Sequence, residues 1–251
     1  MSEAMSAEFD TVAVWTAQVA NDLGPSYHIP AACRGSGSPV ALDWLIEQLD
    51  LAPGETFLDC GAGVGGPAAY AAQQRSVQPV LVEPEAGACR AARSLFGYPV
   101  VQAVASALPV ADESFNAAWS LGVLCTMQTQ LALLTELRRV VRPQGRIGLL
   151  VFVARTSTPA QRPQGNNFPT VDALVDLVAE ARLRIAAWRG LSDLPSASSQ
   201  WQSREDAVTA ELSNRHGHKR AWQLAEHQSD LIGGLLARSD ISGELLTLIR
   251  R

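Results

Sequence analysis

The sequence predicts an α/β fold in which a mainly parallel sheet carries helices on both faces. Two observations support this. From Thr56 to Val153, short apolar runs alternate with helical stretches of roughly 10–14 residues. The first apolar run, Thr56-Phe57-Leu58-Asp59-Cys60, passes straight into Gly61-Ala62-Gly63-Val64-Gly65-Gly66, and Pro67 then opens an Ala-rich helix. That is a strand, a tight turn and a helix N-terminus in one stretch. Glycine lets backbone approach a ligand with no Cβ in the way. The helix start offers unpaired N–H groups to polar ligand atoms.

The elements follow in order. Residues 8–22 read as an amphipathic helix through Phe9, Val12, Trp15 and Val19, and residues 24–39 as a loop. Ser38 caps a helix running to about Leu49, with Pro39 in its first turn. Strands are expected at 56–60, 79–83, 99–104, 115–120 and 147–153. Helices are expected between them at about 66–75, 85–96 and 128–141, the last stopped by Arg142-Pro143-Gln144-Gly145. Beyond this, 154–169 reads as a polar loop, 170–182 as a helix and 183–189 as a strand. A serine-rich stretch, helices at about 201–215 and 218–237, and a last strand at 243–249 complete the chain. We expect one domain: an N-terminal helical cap (1–50), a nucleotide-binding core (54–153) and a C-terminal part (154–251) with a helical insertion at about 201–237.

The chain has 251 residues, enough to bury a real core. Its 47% hydrophobic and 18% charged content fit an ordinary globule. A net charge of −5 argues against a strongly electrostatic nucleic-acid binder. Cys33, Cys60, Cys89 and Cys125 match no C-x-x-C pattern, and Cys60 and Cys125 read as buried small hydrophobes. The start carries Glu3, Glu8 and Asp10 and has no basic, then apolar, leader pattern. No run reaches the about 18 apolar residues of a membrane span. The expectation is a cytoplasmic protein with no membrane or nucleic-acid partner, as monomer or homodimer.

Gly61, Gly63 and Gly66 satisfy G-x-G-x-x-G, the dinucleotide pattern. Glu83 ends the second strand 22 residues after Gly61, where an acid can accept both hydroxyls of a ribose. These letters suit a nicotinamide cofactor and S-adenosylmethionine alike.

Three further segments separate the two. Phe57-Leu58-Asp59-Cys60-Gly61-Ala62-Gly63-Val64-Gly65 resembles the first motif of the class I S-adenosylmethionine-dependent methyltransferases, particularly their small-molecule branch. Leu108-Pro109-Val110-Ala111-Asp112-Glu113-Ser114-Phe115-Asn116 is similar to the family's L-P-F-x-D-x-S-F-D segment. Leu134 to Gly145 resembles its E-x-x-R-V-L-K-P-G-G ending. The resemblance implies a seven-stranded Rossmann-like sheet of order 3-2-1-4-5-7-6 with strand 7 antiparallel. It also implies methyl transfer from S-adenosylmethionine to a small molecule, at oxygen or nitrogen, with no metal.

It further implies roles for individual residues. Asp59, Gly61, Ala62, Gly63 and Gly65 would face the methionine part of the cofactor. Glu83 would hold the ribose, with Pro84 beside the adenine and Ala105 and Ser106 along its edge. Ser120 and Leu121 would lie near the reacting methyl. Val104 stands where the family often places an acid toward adenine, Asn116 where aspartate is common, and Gln144 where glycine is common. A base is needed only when the acceptor must lose a proton, and His28 is the candidate. His216-Gly217-His218 has no third metal ligand nearby in sequence. Trp201 and Trp222 belong to the inserted helices, the expected lid over the acceptor. The alternatives are a nicotinamide-dependent reductase and a non-catalytic cofactor-binding protein of the same fold.

Overall fold

The computed structural model describes residues 7–156, 159 and 161–250. Glu3 and part of the expected 154–169 loop fall outside these residues. A π-helical turn at Ala7–Val12 leads into α1 (Ala13–Leu23). The stretch expected as a loop holds a short helix, α2 (His28–Ala32), after a 3-10 turn at Pro25–Tyr27. Pro25 starts that turn, and the apolar side chains of Pro30, Ala31 and Ala32 are buried beneath it, which outweighs the local Gly and Pro signals.

α3 (Pro39–Leu49) begins as expected: Ser38 Oγ accepts the Ala41 N–H at 3.3 Å. Then follow β1 (Thr56–Cys60), α4 (Gly66–Arg75), β2 (Gln78–Glu83), α5 (Ala86–Phe96), β3 (Val100–Gln102) and β4 (Phe115–Leu121). α6 (Gln130–Val140) runs directly into β5 (Val141–Ala154). β5 starts earlier than expected because Val141 already pairs with Phe115 and pairing resumes at Arg146 with Ala117. Pro143-Gln144-Gly145 therefore forms a bulge rather than a stop. Gln144 sits there at φ 62°, which explains why glycine suits the position.

α7 (Val171–Glu180) is capped by Thr170, and β6 (Leu183–Gly190) follows. α8 (Ser199–His216) begins before the expected position because Ser198 Oγ accepts the Trp201 N–H at 3.3 Å. α9 (Arg220–Ala237) and β7 (Ile241–Arg250) end the chain.

The seven strands lie in the order 3-2-1-4-5-7-6. β1 to β5 are parallel, and β7 is antiparallel to both β5 and β6. Side-chain alternation divides the core. Leu58, Ala118, Ile147 and Leu149 pack with α6 on one face. Phe57, Trp119 and Leu150 pack with α3 on the other. Buried on both faces, these strands read as apolar runs rather than alternating ones. β1 lies between β2 and β4, so the chain leaves its carboxyl end in both directions. Such a switch point opens a crevice above the sheet.

Candidate active site

The turn after β1 sits at that crevice. The Gly61 and Ala62 amides donate to Val82 O at 2.8 and 3.1 Å, which anchors the turn on β2. Gly61 has φ 79°, and a Cβ there would lie 2.2 Å from Val123 Cγ2, so the loop after β4 presses directly on the turn. Ser120 Oγ donates to Cys60 O at 2.8 Å and ties the ends of β4 and β1 together. Ser120 and Leu121 are buried there.

Glu83 closes over the same turn. Its Oε2 accepts the Gly63 N–H at 2.9 Å and its Oε1 accepts the Glu85 N–H at 3.0 Å. Burial raises its pKa, and the two amides partly oppose that. Asp59 is 1% exposed. Burial pushes its carboxyl up to about 7, with the Trp119 indole and the Ala68 amide lowering it and Glu83 raising it. Its Oδ2 has no hydrogen-bond partner among the described residues, and neither does Trp119 Nε1 close by.

Those two carboxylates fit S-adenosylmethionine. Asp59 Oδ2 is a buried acceptor that meets no donor at full hydrogen-bond geometry, although the Trp119 indole and the Ala68 amide lie near enough to lower its pKa, and an ammonium would complete its partners. A Cβ on Gly63 would meet nothing within 4 Å, so there is open space over the turn. Each Glu83 oxygen accepts one amide and keeps a second lone pair for a ribose hydroxyl.

The next segment is positioned by an arginine. Arg139 donates to Leu108 O at 2.9 Å and Val110 O at 2.8 Å, and pairs with Asp112 at 2.7 Å and Glu136 at 2.8 Å. Glu136 Oε2 in turn accepts the Leu108 N–H at 2.7 Å. The two sequence segments that looked like separate landmarks thus form one clasp. It holds the end of the 104–108 turn, where Ala105 is buried and Ser106 faces a groove of about 570 Å³. Val104 is 53% exposed, and Pro84 O accepts from Gln102 Nε2 at 3.0 Å. Asn116 Oδ1 accepts from Thr56 N and Thr56 Oγ1 at 3.1 and 2.8 Å, work an aspartate oxygen would also do.

The cap reaches the crevice from above. A Cβ on Gly66 would lie 2.4 Å from Ala32 C and 2.6 Å from Cys33 N, so the end of α2 rests on the start of α4. Further along, Gly35 O lies 3.7 Å from the Cβ position of Gly122. The 32–35 strap therefore spans from the glycine turn to the end of β4. Asp10, from the π-helical turn, accepts the Gly87 N–H in the first turn of α5.

Sequence reading passed over the charges gathered beneath this cap: Glu8, Arg34, Glu205 and Glu226. They come from four separated segments and match no motif. Arg34 stood inside a Gly/Ser-rich string that gave no sign of its surroundings.

His28 opens α2 and packs edge-on against Phe96, with ring centroids 6.4 Å apart, and burial lowers its pKa. His216 stacks on Trp15 at 4.1 Å. Among the described residues, no three His, Cys, Asp or Glu side chains group as a metal site. All four cysteines are free and buried. No described helix is long and apolar enough to cross a membrane.

The sheet has the fold of the class I S-adenosylmethionine-dependent methyltransferases, and the site suits that cofactor. Residues 58–149 match the methyltransferase domain family. A methyltransferase of Streptomyces halstedii, GfsG, is 30% identical over 118 residues, or 44% of this chain and 42% of that protein. The match thus spans less than half the length of that relative. Among solved structures, the [4+2]-cyclase SpnF superposes with a TM-score of 0.67 at 21% identity, over 86% of this chain and 83% of SpnF. The cyclopropane synthase MmaA2 of Mycobacterium tuberculosis gives 0.66 at 16% identity, over 83% and 82% of the two chains.

Proposed function

We propose that this protein transfers a methyl group from S-adenosylmethionine to a small-molecule acceptor at oxygen or nitrogen. The observation that carries the reading is the unpartnered, buried Asp59 Oδ2 beside a glycine turn closed by Glu83. When bound, the cofactor supplies an electrophilic methyl on a sulfonium whose leaving group is a neutral thioether. No acid is then needed to expel it, so alignment and exclusion of water carry much of the rate.

Asp59 holds the cofactor ammonium. Glu83 holds the ribose, and Pro84, Ala105 and Ser106 flank the adenine. Gly61, Ala62, Gly63 and Gly65 leave room for the methionine chain, with Ser120 and Leu121 near the methyl. The 32–35 strap, α8 and α9 exclude water above it. For a hydroxyl acceptor the base is His28. The net charge of −5 fits a small-molecule partner better than nucleic acid, and a cytoplasmic monomer or homodimer remains our reading.

The test is methyl transfer from labelled S-adenosylmethionine across a small-molecule acceptor panel. Acceptor-dependent release of S-adenosylhomocysteine supports the reading. Cofactor binding without transfer to any acceptor favours the non-catalytic alternative. One fold neighbour is a [4+2]-cyclase, so the reaction must be measured: fold does not fix chemistry.

A further inference from the structure

The turn after β3 lies beside the acid that ends β2. Ala103 N donates to Glu83 O at 3.2 Å, and Glu83 pairs with Gln102 across the two strands. Ala103, Ala105 and Leu108 then pack into the core on the α6 face of the sheet, whereas Cys89 and Ala92 of α5 pack against the opposite face. A nucleoside with its ribose on Glu83 and its methionine end toward Asp59 and Ser120 lays its base against this turn.

The side chains of the turn give the base no charged group to meet. Val104 is apolar and 53% exposed. Ser106 is the one polar side chain from residue 103 to residue 108, and a hydroxyl both gives and accepts a hydrogen bond. The carboxylates that approach the turn are already engaged. Arg139 holds Asp112 at 2.7 Å and Glu136 at 2.8 Å, and Glu136 Oε2 also accepts the Leu108 N–H at 2.7 Å. Gln102, with β3's Val100 side of the sheet, gives its Nε2 to Pro84 O at 3.0 Å. Beyond Ser106 there is room: the groove of about 570 Å³ runs past Thr129, Leu131, Thr135 and Leu177.

A site that reads an amino group keeps a buried acceptor for it, and an analogue lacking the group leaves that acceptor unpaired at a cost. A neutral bond at an exposed rim exchanges readily with water and discriminates little. We propose that the cofactor site is open at the exocyclic amino group of the purine: Val104 packs against the base without gripping that group, and the groove beside Ser106 receives a substituent placed on it. This rests on the methyltransferase reading above. The ligand class is S-adenosyl compounds together with their analogues altered at the purine amino group, with the ribose still held by Glu83.

The full-length protein is first titrated with S-adenosylhomocysteine by calorimetry, and failure at that step contradicts the methyltransferase reading itself. Three analogues follow: one with hydrogen in place of the purine amino group, one with a methyl on its nitrogen and one with a benzyl on it. Each should bind within about fivefold of the parent compound. Val104→Asp supplies a carboxylate acceptor and should make the parent bind at least about fivefold tighter than the hydrogen analogue. Val104 is exposed, so the variant should stay folded, which thermal unfolding checks, and the analogue series on the unaltered protein decides the matter without it. A loss of more than about fivefold for any of the three analogues, or an unchanged ratio in the folded variant, overturns the proposal, and saturable S-adenosylhomocysteine binding then leaves the methyltransferase reading standing.

Discussion

Glu83 Oε2 accepts the Gly63 N–H at 2.9 Å, so the acid that ends β2 is built into the glycine turn that follows β1. One carboxylate thereby does two jobs. It satisfies two backbone donors and, under the proposed function, offers its remaining lone pairs to a ribose. Glu83→Ala should lower cofactor affinity at least severalfold, and should also cost about 1–3 kcal/mol of stability through the two orphaned amides. Calorimetry and denaturant unfolding measure the two effects separately. A loss of affinity with unchanged stability would show that the amide contacts contribute nothing.

If Asp59 holds the cofactor ammonium, as proposed, cofactor binding should depend on pH. Its carboxyl is raised to about 7 by burial, and pairing with an ammonium requires the ionised form. Affinity should be full above about pH 7 and fall as the pH drops below it, with a proton released on binding. For the free protein the sign is opposite. A raised carboxyl contributes stability that is complete below the unfolded value of about 3.9 and is lost as pH rises through the folded value near 7. Asp59→Asn should flatten both profiles; titration in buffers of different ionisation enthalpy counts the proton.

Gly66 and Gly63 should behave differently. Gly66→Ala drives a methyl into Ala32 and Cys33 backbone and should displace the strap, costing about 1–3 kcal/mol. Gly63→Ala meets nothing within 4 Å, although its φ of 53° adds about 1 kcal/mol of strain. Its methyl enters the cofactor space, so affinity should fall more than stability. Thermal unfolding and cofactor titration of the two variants check the contrast.

Arg139 should matter although it lies away from the reaction. Arg139→Ala removes donors from Leu108 O and Val110 O and frees Glu136. We expect a stability loss of about 1–3 kcal/mol. Faster hydrogen exchange at residues 104–110 would show the adenine-side turn loosening.

Much of this could be read from the sequence. Strand apolarity placed β1, β2 and β4, and the Ser38-Pro39 pair placed the start of α3. The glycine turn and Glu83 follow from local letters, because close backbone approach and an acid at a strand end leave a short-range signature. What was missed depends on tertiary contact. α2 is stable because its apolar face is covered, not because of its propensities. The extended β5 rests on a pairing partner, Phe115, and on a bulge. The charges around Arg34 come from segments up to 218 residues apart in sequence, so no spacing rule exposes them.

The most direct test of the account is a calorimetric titration of the full-length protein with S-adenosylhomocysteine beside one with NADH. The account predicts one saturable S-adenosylhomocysteine site that Glu83→Ala weakens, and no NADH binding. Absence of S-adenosylhomocysteine binding at high micromolar concentration, or saturable NADH binding in its place, would contradict it.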